Sequence, residues 1–245
     1  MPPLKKEPVI RVGVIHEKER VEFSLDQPFN LVPEVGEPLE IIPVGTQKFR
    51  FTADEDNLIV ESSELGYKAH FPHCEFVRVE PLQPETAIFT VHNCTIGISF
   101  HWQRDHDHDY PFLLEIHRSS GNTLWAINEV PVELYLESVI SSEMSGKSPT
   151  ELLKAHTIIA RSWLIAQMAK PPHHNFLVCH DDHCQRYYGL QRREPAAMEA
   201  VKATRGEVLT YQNEIADTRY AKICGGVSEN FENCWPESVV PYCHS

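Results

Sequence analysis

Residues 178–190 read VCHDDHCQRYYGL, and the six residues from Cys179 to Cys184 hold two cysteines, two histidines and two aspartates. Thiolate and imidazole donors in one short loop suit Zn²⁺. Cys179, His183 and Cys184 would supply three ligands, with His173 or His174 upstream as the fourth and His180 as a spare. Two sulfurs and two nitrogens close a tetrahedral shell and leave no position for a reactive water, so such a site would be structural. Two other readings stand beside it: a disulfide, and a pair of half-buried free cysteines flanked by solvent-facing histidines. A cysteine nucleophile would have histidines to serve as base, but no glycine-rich turn nearby marks an oxyanion hole.

Two further stretches carry chemical side chains. HWQRDHDHDY, residues 101–110, alternates His and Asp, a pattern read here as a solvated hairpin loop without closed metal geometry. Glu143 lies between the strand-like LYLESVI and a long apolar segment. Desolvation at such a junction would raise a carboxyl pKa and let it hold a proton at neutral pH. The plain alternative is a glutamate on a surface loop.

The elements that must position these groups are mostly strands. VIRVGVI, RVEFSL, LEIIPV, KFRFTA, LIVESS and EFVRVE follow one another between residues 8 and 82, separated by Gly, Pro and Asp turns. The proline-rich PLQPET at 81–86 is the best internal boundary. It divides a β-rich region, 1–85, from a second domain, 86–245. Beyond it, AIFTVH and TIGISFHW read as strands, and FLLEIHRSSGNTLWAINEV as a hairpin turning at Ser120-Gly121-Asn122. SPTELLKAHTIIARSWLIAQMAK reads as a buried helix, with Ser148 as N-cap, Pro149 first in the helix and Glu151 completing a capping box. EPAAMEAVKATRG is a second helix with Gly206 as its left-handed cap, and EVLTYQNEIADTRYAK a hairpin around Gln212-Asn213. The expected class is α+β.

Composition excludes several functions. A net charge of −13 over 245 residues disfavours a nucleic-acid backbone binder. No apolar run approaches bilayer-spanning length. MPPLKKEPVIRVGVI shows no apolar signal-peptide core, which leaves a cytoplasmic protein or a trimmed exported one. Seven unevenly spread cysteines do not make a disulfide framework.

Four blocks in order, PVELYLESVISSEM, ELLKAHTIIARSW, CHDDHCQRYYG and AVKATRGEVLTYQNEIADTRYAKICGGVSENFENCW, resemble the SpoIID/LytB family over about residues 111–237. The resemblance implies a lytic transglycosylase acting on peptidoglycan glycan strands, or an enhancer of a cell-wall amidase, and so a place in the cell envelope. It makes Glu143 the catalytic acid and His173, Cys179, His183 and Cys184 the zinc ligands. Arg161, Gln185, Tyr187 and Tyr188, with Cys224, Gly225 and Ser228 of the later turn, become the implied substrate contacts. A transglycosylase needs one carboxyl group where ordinary glycosidases need two. The pattern departs from many members at Ser145 to Pro149, at His156 where glutamine is common, and at Lys222-Ile223 before Cys224. The chain stops at VVPYCHS, where members often continue, and is expected to be a fragment.

Overall fold

The computed structural model describes residues 6–43, 45–221, 223, 225–236 and 240–243. Its strands are β1 (Val9–Lys18), β2 (Arg20–Leu25), β3 (Phe29–Pro33), β4 (Leu39–Ile41), β5 (Gln47–Ala53), β6 (Asn57–Ser62), β7 (Tyr67–Pro72) and β8 (Phe76–Pro81). After them come β9 (Ile88–Ile96), β10 (Arg104–Pro111), β11 (Leu113–Arg118) and β12 (Leu124–Pro131). The helices α1 (Val132–Glu143), α2 (Thr150–Gln167) and α3 (Pro195–Ala203) follow, with short strands β13 (Val178–Cys179), β14 (Thr210–Tyr211) and β15 (Glu214–Ile215) and a final turn of helix, α4 (Phe231–Cys234). The α+β expectation holds.

The strands form two large sheets, ordered β13-β1-β12-β11-β8-β3-β4 and β10-β9-β2-β5-β6-β7. Each sheet takes strands from both sides of residue 85. Alternation decides which side chains meet between them. In β5, Phe49 and Phe51 are fully buried while Lys48 and Arg50 point out. Phe23 of one sheet meets Phe29 of the other edge to face at 6.1 Å, and Phe29 meets Phe49 likewise at 5.1 Å. On an outer face, His92 bridges the Ser24 hydroxyl and the Asp107 carboxylate, each at 2.8 Å, and so ties β2, β9 and β10.

Four local expectations change. PVELYLESVI is not strand-like: Val132, Tyr135, Leu136, Val139 and Ile140 are the buried positions of a helix, an i, i+3, i+4, i+7, i+8 pattern that β-branched residues and Tyr disguised. HWQRDHDHDY is largely strand β10, with a register shift between His106 and His108, rather than a loop. TIGISFHW leaves its strand at Ile96, and residues 97–103 turn. α2 starts one residue later than the capping box requires: Pro149 occupies the N-cap, and no side chain caps the helix. The hairpin at 120–122 and the 212–213 turn are present; Gln212 and Asn213 both take positive φ, 50° and 66°, as a two-residue hairpin turn demands.

The seven-stranded sheet carries a charge cluster on one face. Glu115 accepts hydrogen bonds from Arg11 at 2.6 Å and His117 at 2.9 Å, and Arg78 lies 3.3 Å away. Burial alone would raise the Glu115 pKa, but these partners, His117 and Arg11 foremost, outweigh it and hold the group down at about 2. A folded value below the ordinary 4.5 means stabilisation that is full above that pH and lost as pH falls toward 2. Thermal unfolding scanned across this window should show a falling midpoint, and Glu115→Gln should flatten the fall. An unchanged slope would remove Glu115 as its source.

Candidate active site and metal cluster

The loop that begins with β13 is built against β1. Val178 and Cys179 pair in parallel with Val12 and Gly13, and His180 N–H donates to the Gly13 carbonyl at 3.0 Å. Gly13 is required here, because a Cβ would lie 2.7 Å from the Phe176 ring. That ring in turn packs against His173, with centroids 4.5 Å apart. Beyond Cys179 the chain doubles back, and Cys184 N–H donates to the Asp181 carbonyl at 3.0 Å.

This folding gathers His173, Cys179, His183 and Cys184, whose ligand atoms all lie within 4.8 Å of one another. His173 Nε2 is 3.3 Å and His183 Nδ1 is 3.6 Å from Cys184 Sγ. Tetrahedral coordination by sulfur at about 2.3 Å and nitrogen at about 2.0 Å separates ligands by about 3.3–3.8 Å, so the cluster could hold a metal ion. It is also chemically ready for one. Burial, then the neighbouring His183 and His16, lower the His173 pKa to about 4 and leave it a neutral donor. A hydrogen bond from Cys184 lowers Cys179, and the same contact holds the proton on Cys184. Both cysteines are free thiols. His174 is exposed, and His180 is buried beside Tyr110 outside the cluster. Among the described residues no set from 101–110 converges in this way.

His183 and Cys184 also form part of a cleft of about 410 Å³, with Glu143, Met144, Trp163, Asp182, Arg186, Arg219, Tyr220 and Trp235 among its walls. Glu143 ends α1, and its Oε1 accepts the Arg186 backbone N–H at 3.1 Å. The Arg186 side chain pairs with Asp182. The segment after the cluster runs along α1: Tyr188 N–H donates to Ser138 Oγ at 3.2 Å, Glu194 N–H to Ser141 Oγ at 2.9 Å, and Arg193 pairs with Glu137 at 2.7 Å. The Glu143 carboxylate, the Arg186–Asp182 ion pair and two members of the His/Cys cluster, His183 and Cys184, therefore line a single cleft.

Four of the implied substrate contacts, Arg161, Gln185, Tyr187 and Tyr188, are buried. Arg161 is 2% exposed. Its guanidinium makes a two-point pair with Glu133 at 2.9 and 2.6 Å and donates to the Glu207 carbonyl at 3.1 Å. Tyr187 is fully buried, its hydroxyl on Asn128 at 2.7 Å. Tyr188 is stacked on His108 with centroids 5.7 Å apart. Gln185, 1% exposed, accepts from Tyr135 at 3.1 Å and donates to the Tyr220 hydroxyl at 3.2 Å, so it reaches the cleft only through Tyr220. Gly225 lies in an exposed turn with φ of 69°, and Ser228 lines a second cavity that shares Arg219, Tyr220, Ala221 and Trp235 with the first. Cys224 lies outside the described residues.

Sequence reasoning missed Arg219. Its guanidinium lies 4.8 Å from the Trp235 ring centre, 5.5 Å from Phe231 and 5.9 Å from Trp163. The tryptophans were visible, but the charge that joins them is sixteen residues from one and more than fifty from the other. His156, where the resemblance expects glutamine, is 3% exposed and edge-on to Tyr220 at 4.8 Å.

Residues 120–211 match the family model described as SpoIID, Stage II sporulation protein. Over that stretch, well under half of its length, the chain is similar to the SpoIID family. Glu143 and all four cluster residues fall inside the matched span. Relatives agree: an uncharacterized protein of Brachyspira hyodysenteriae is 30% identical over 50% of this chain and 33% of its own length. Stage II sporulation protein D of Bacillus amyloliquefaciens is 27% identical over 55% and 42%, and the amidase enhancer of Bacillus subtilis 32% identical over 44% and 14%. The chain thus spans less than half the length of the curated relatives it matches.

In this chain the Arg161–Glu133 pair should be structural. Arg161→Ala leaves a buried carboxylate unpaired and should cost ~3–5 kcal/mol in denaturant unfolding. A loss below about 1 kcal/mol would return Arg161 to the list of surface-contact residues.

Proposed function

We propose that this domain is a peptidoglycan lytic transglycosylase with Glu143 as its single acid and base. The observation that carries the reading is the Glu143 carboxylate in the wall of a cleft, anchored by the Arg186 amide, within a chain of a peptidoglycan-acting family. The substrate is the β-1,4 bond between N-acetylmuramic acid and N-acetylglucosamine. Glu143 gives its proton to the bridging oxygen as the bond to C1 breaks. The muramic acid C-6 hydroxyl then closes on C1 and returns a proton to the Glu143 carboxylate, giving a 1,6-anhydro end without water. Oriented polar groups beside the cleft, the Arg186–Asp182 pair and Arg219, fit a hydroxyl-rich strand. Such a strand lies outside the cytoplasmic membrane, so the domain would work in the cell envelope; no helix among the described residues is long and apolar enough to cross a membrane.

The ion suited to two thiols and two imidazoles is zinc, held by His173, Cys179, His183 and Cys184. Four protein ligands leave it a bracing role, fixing the loop that carries Arg186. Purified protein should contain about one zinc per chain, and its removal with a strong chelator should lower the unfolding temperature. Metal-free protein of unchanged stability would refute the site.

On peptide-free glycan strands, mass spectrometry should find 1,6-anhydro products, reduced at least ~100-fold in Glu143→Gln. Products undiminished in Glu143→Gln would exclude it as the acid. The likeness to the Bacillus subtilis amidase enhancer supports a second reading, a non-catalytic wall binder that assists an amidase. Absence of anhydro products, together with faster release of peptides from intact wall by an added amidase, would favour it. A thiol hydrolase using Cys179 or Cys184 would instead lose activity on alkylation and keep it in Glu143→Gln.

A further inference from the structure

Between β9 and β10, residues 97–103 form a tight turn that carries three large apolar side chains outside the core. Phe100 is 52% and Ile98 41% exposed. Trp102 stacks on Phe100, with centroids 5.5 Å apart and planes 17° from parallel. Exposed apolar side chains are ordinary when scattered, but here they are adjacent and held in place.

The turn is rigidly built. Phe100 N–H donates to the Gly97 carbonyl at 2.9 Å, Gln103 N–H to Phe100 at 3.0 Å, and Ser99 N–H to the Gln103 side chain at 2.9 Å. Gly97 has φ of 69°, and a Cβ there would fall 2.3 Å from the Trp102 ring. Glycine thus lets the indole lie flat on the turn. From the metal-ligand loop, the buried Asp181 carboxylate takes both the Gly97 and Ile98 N–H groups, at 3.0 and 2.8 Å.

The aromatic pair is also continuous with the cleft. The Arg186 guanidinium lies 5.8 Å from the Trp102 ring centre, and Arg186 is the residue whose amide holds Glu143 and whose side chain lines the cleft. A pyranose ring presents a face of C–H groups that packs on an aromatic plane while its equatorial hydroxyls stay in water. Charged or extended peptide would not gain in the same way from an isolated aromatic step. We propose that Phe100 and Trp102 form a saccharide-binding platform, which seats sugar rings of the glycan strand beyond the bond that Glu143 cleaves. This rests on the glycan-cleaving reading of the cleft. The turn lies outside the 120–211 family match.

The test is binding without turnover. The Glu143→Gln chain is sedimented with insoluble peptide-free glycan strands, alone and with Phe100→Ser or Phe100→Tyr added. Phe100 is half in solvent, so its replacement should leave the fold intact, checked by an unchanged unfolding temperature. Binding should weaken about tenfold with Ser, as expected for one lost stacking contact, and be retained with Tyr. Equal binding of parent and Phe100→Ser, or no binding by the parent, overturns the platform and leaves the chemistry at Glu143 to its own assay. If wild type makes no anhydro product yet binding still depends on Phe100, the platform stands and the transglycosylase reading falls.

Discussion

Two residue pairs of parallel strand, Val12 with Val178 and Gly13 with Cys179, hold the site in register. The loop from 180 to 188 has little regular structure of its own, and an irregular loop keeps its shape only where its backbone groups find partners. Here they find them on β1, through Leu177 and His180, and on α1, through Tyr188. The glycine at position 13 permits this approach, since any side chain would displace Phe176. With the loop so fixed, two thiols and two imidazoles converge and the Arg186 amide meets Glu143.

The polar interior serves the same end. Arg161, fully paired beneath α1 and α3, locks the helix whose last residue is Glu143. Tyr135, Gln185 and Tyr220 form a chain of hydrogen bonds that leads from the core to the cleft wall. Such networks repay their desolvation through the bonds their members make, and here Gln185 both accepts from Tyr135 and donates to Tyr220 and to the Ala160 carbonyl. Asp181 extends the scheme in the other direction, joining the metal-ligand loop to the 97–103 turn.

How far these features could be read from the residues alone depends on whether their signal is local. Strand alternation in KFRFT, the Ser120-Gly121-Asn122 turn and the Pro195 start of α3 are local, and the structure contains them; Gly206 has a positive φ but lies two residues past Thr204, which caps the helix. α1 was misread because Val, Ile and Tyr favour strands in isolation, while its burial period is helical. Arg161 lies within a matching family block, and Tyr187 and Tyr188 follow the Cys/His loop directly, yet all three are buried, and nothing in a linear pattern gives that direction. The grouping of Arg219 with Trp163 and Trp235 has no local signature at all.

The sequence by itself determined the ligand types. Sulfur and nitrogen donors at 173, 179, 183 and 184, the glutamate at 143 and the ordered family blocks are all chemical facts of side chains and spacing. Donor type and spacing leave His173, His174 and His180 open, and the family resemblance points to His173; the tertiary structure brings His173 to the cluster while His174 is exposed and His180 is buried apart. It also decided that one edge of the cluster, His183 and Cys184, lines the same cleft as the Glu143 carboxylate. The reason is geometric: donor chemistry is a property of each residue, whereas convergence requires β1, α1 and the loop between α2 and α3 to meet, and contacts so distant along the chain are set by packing.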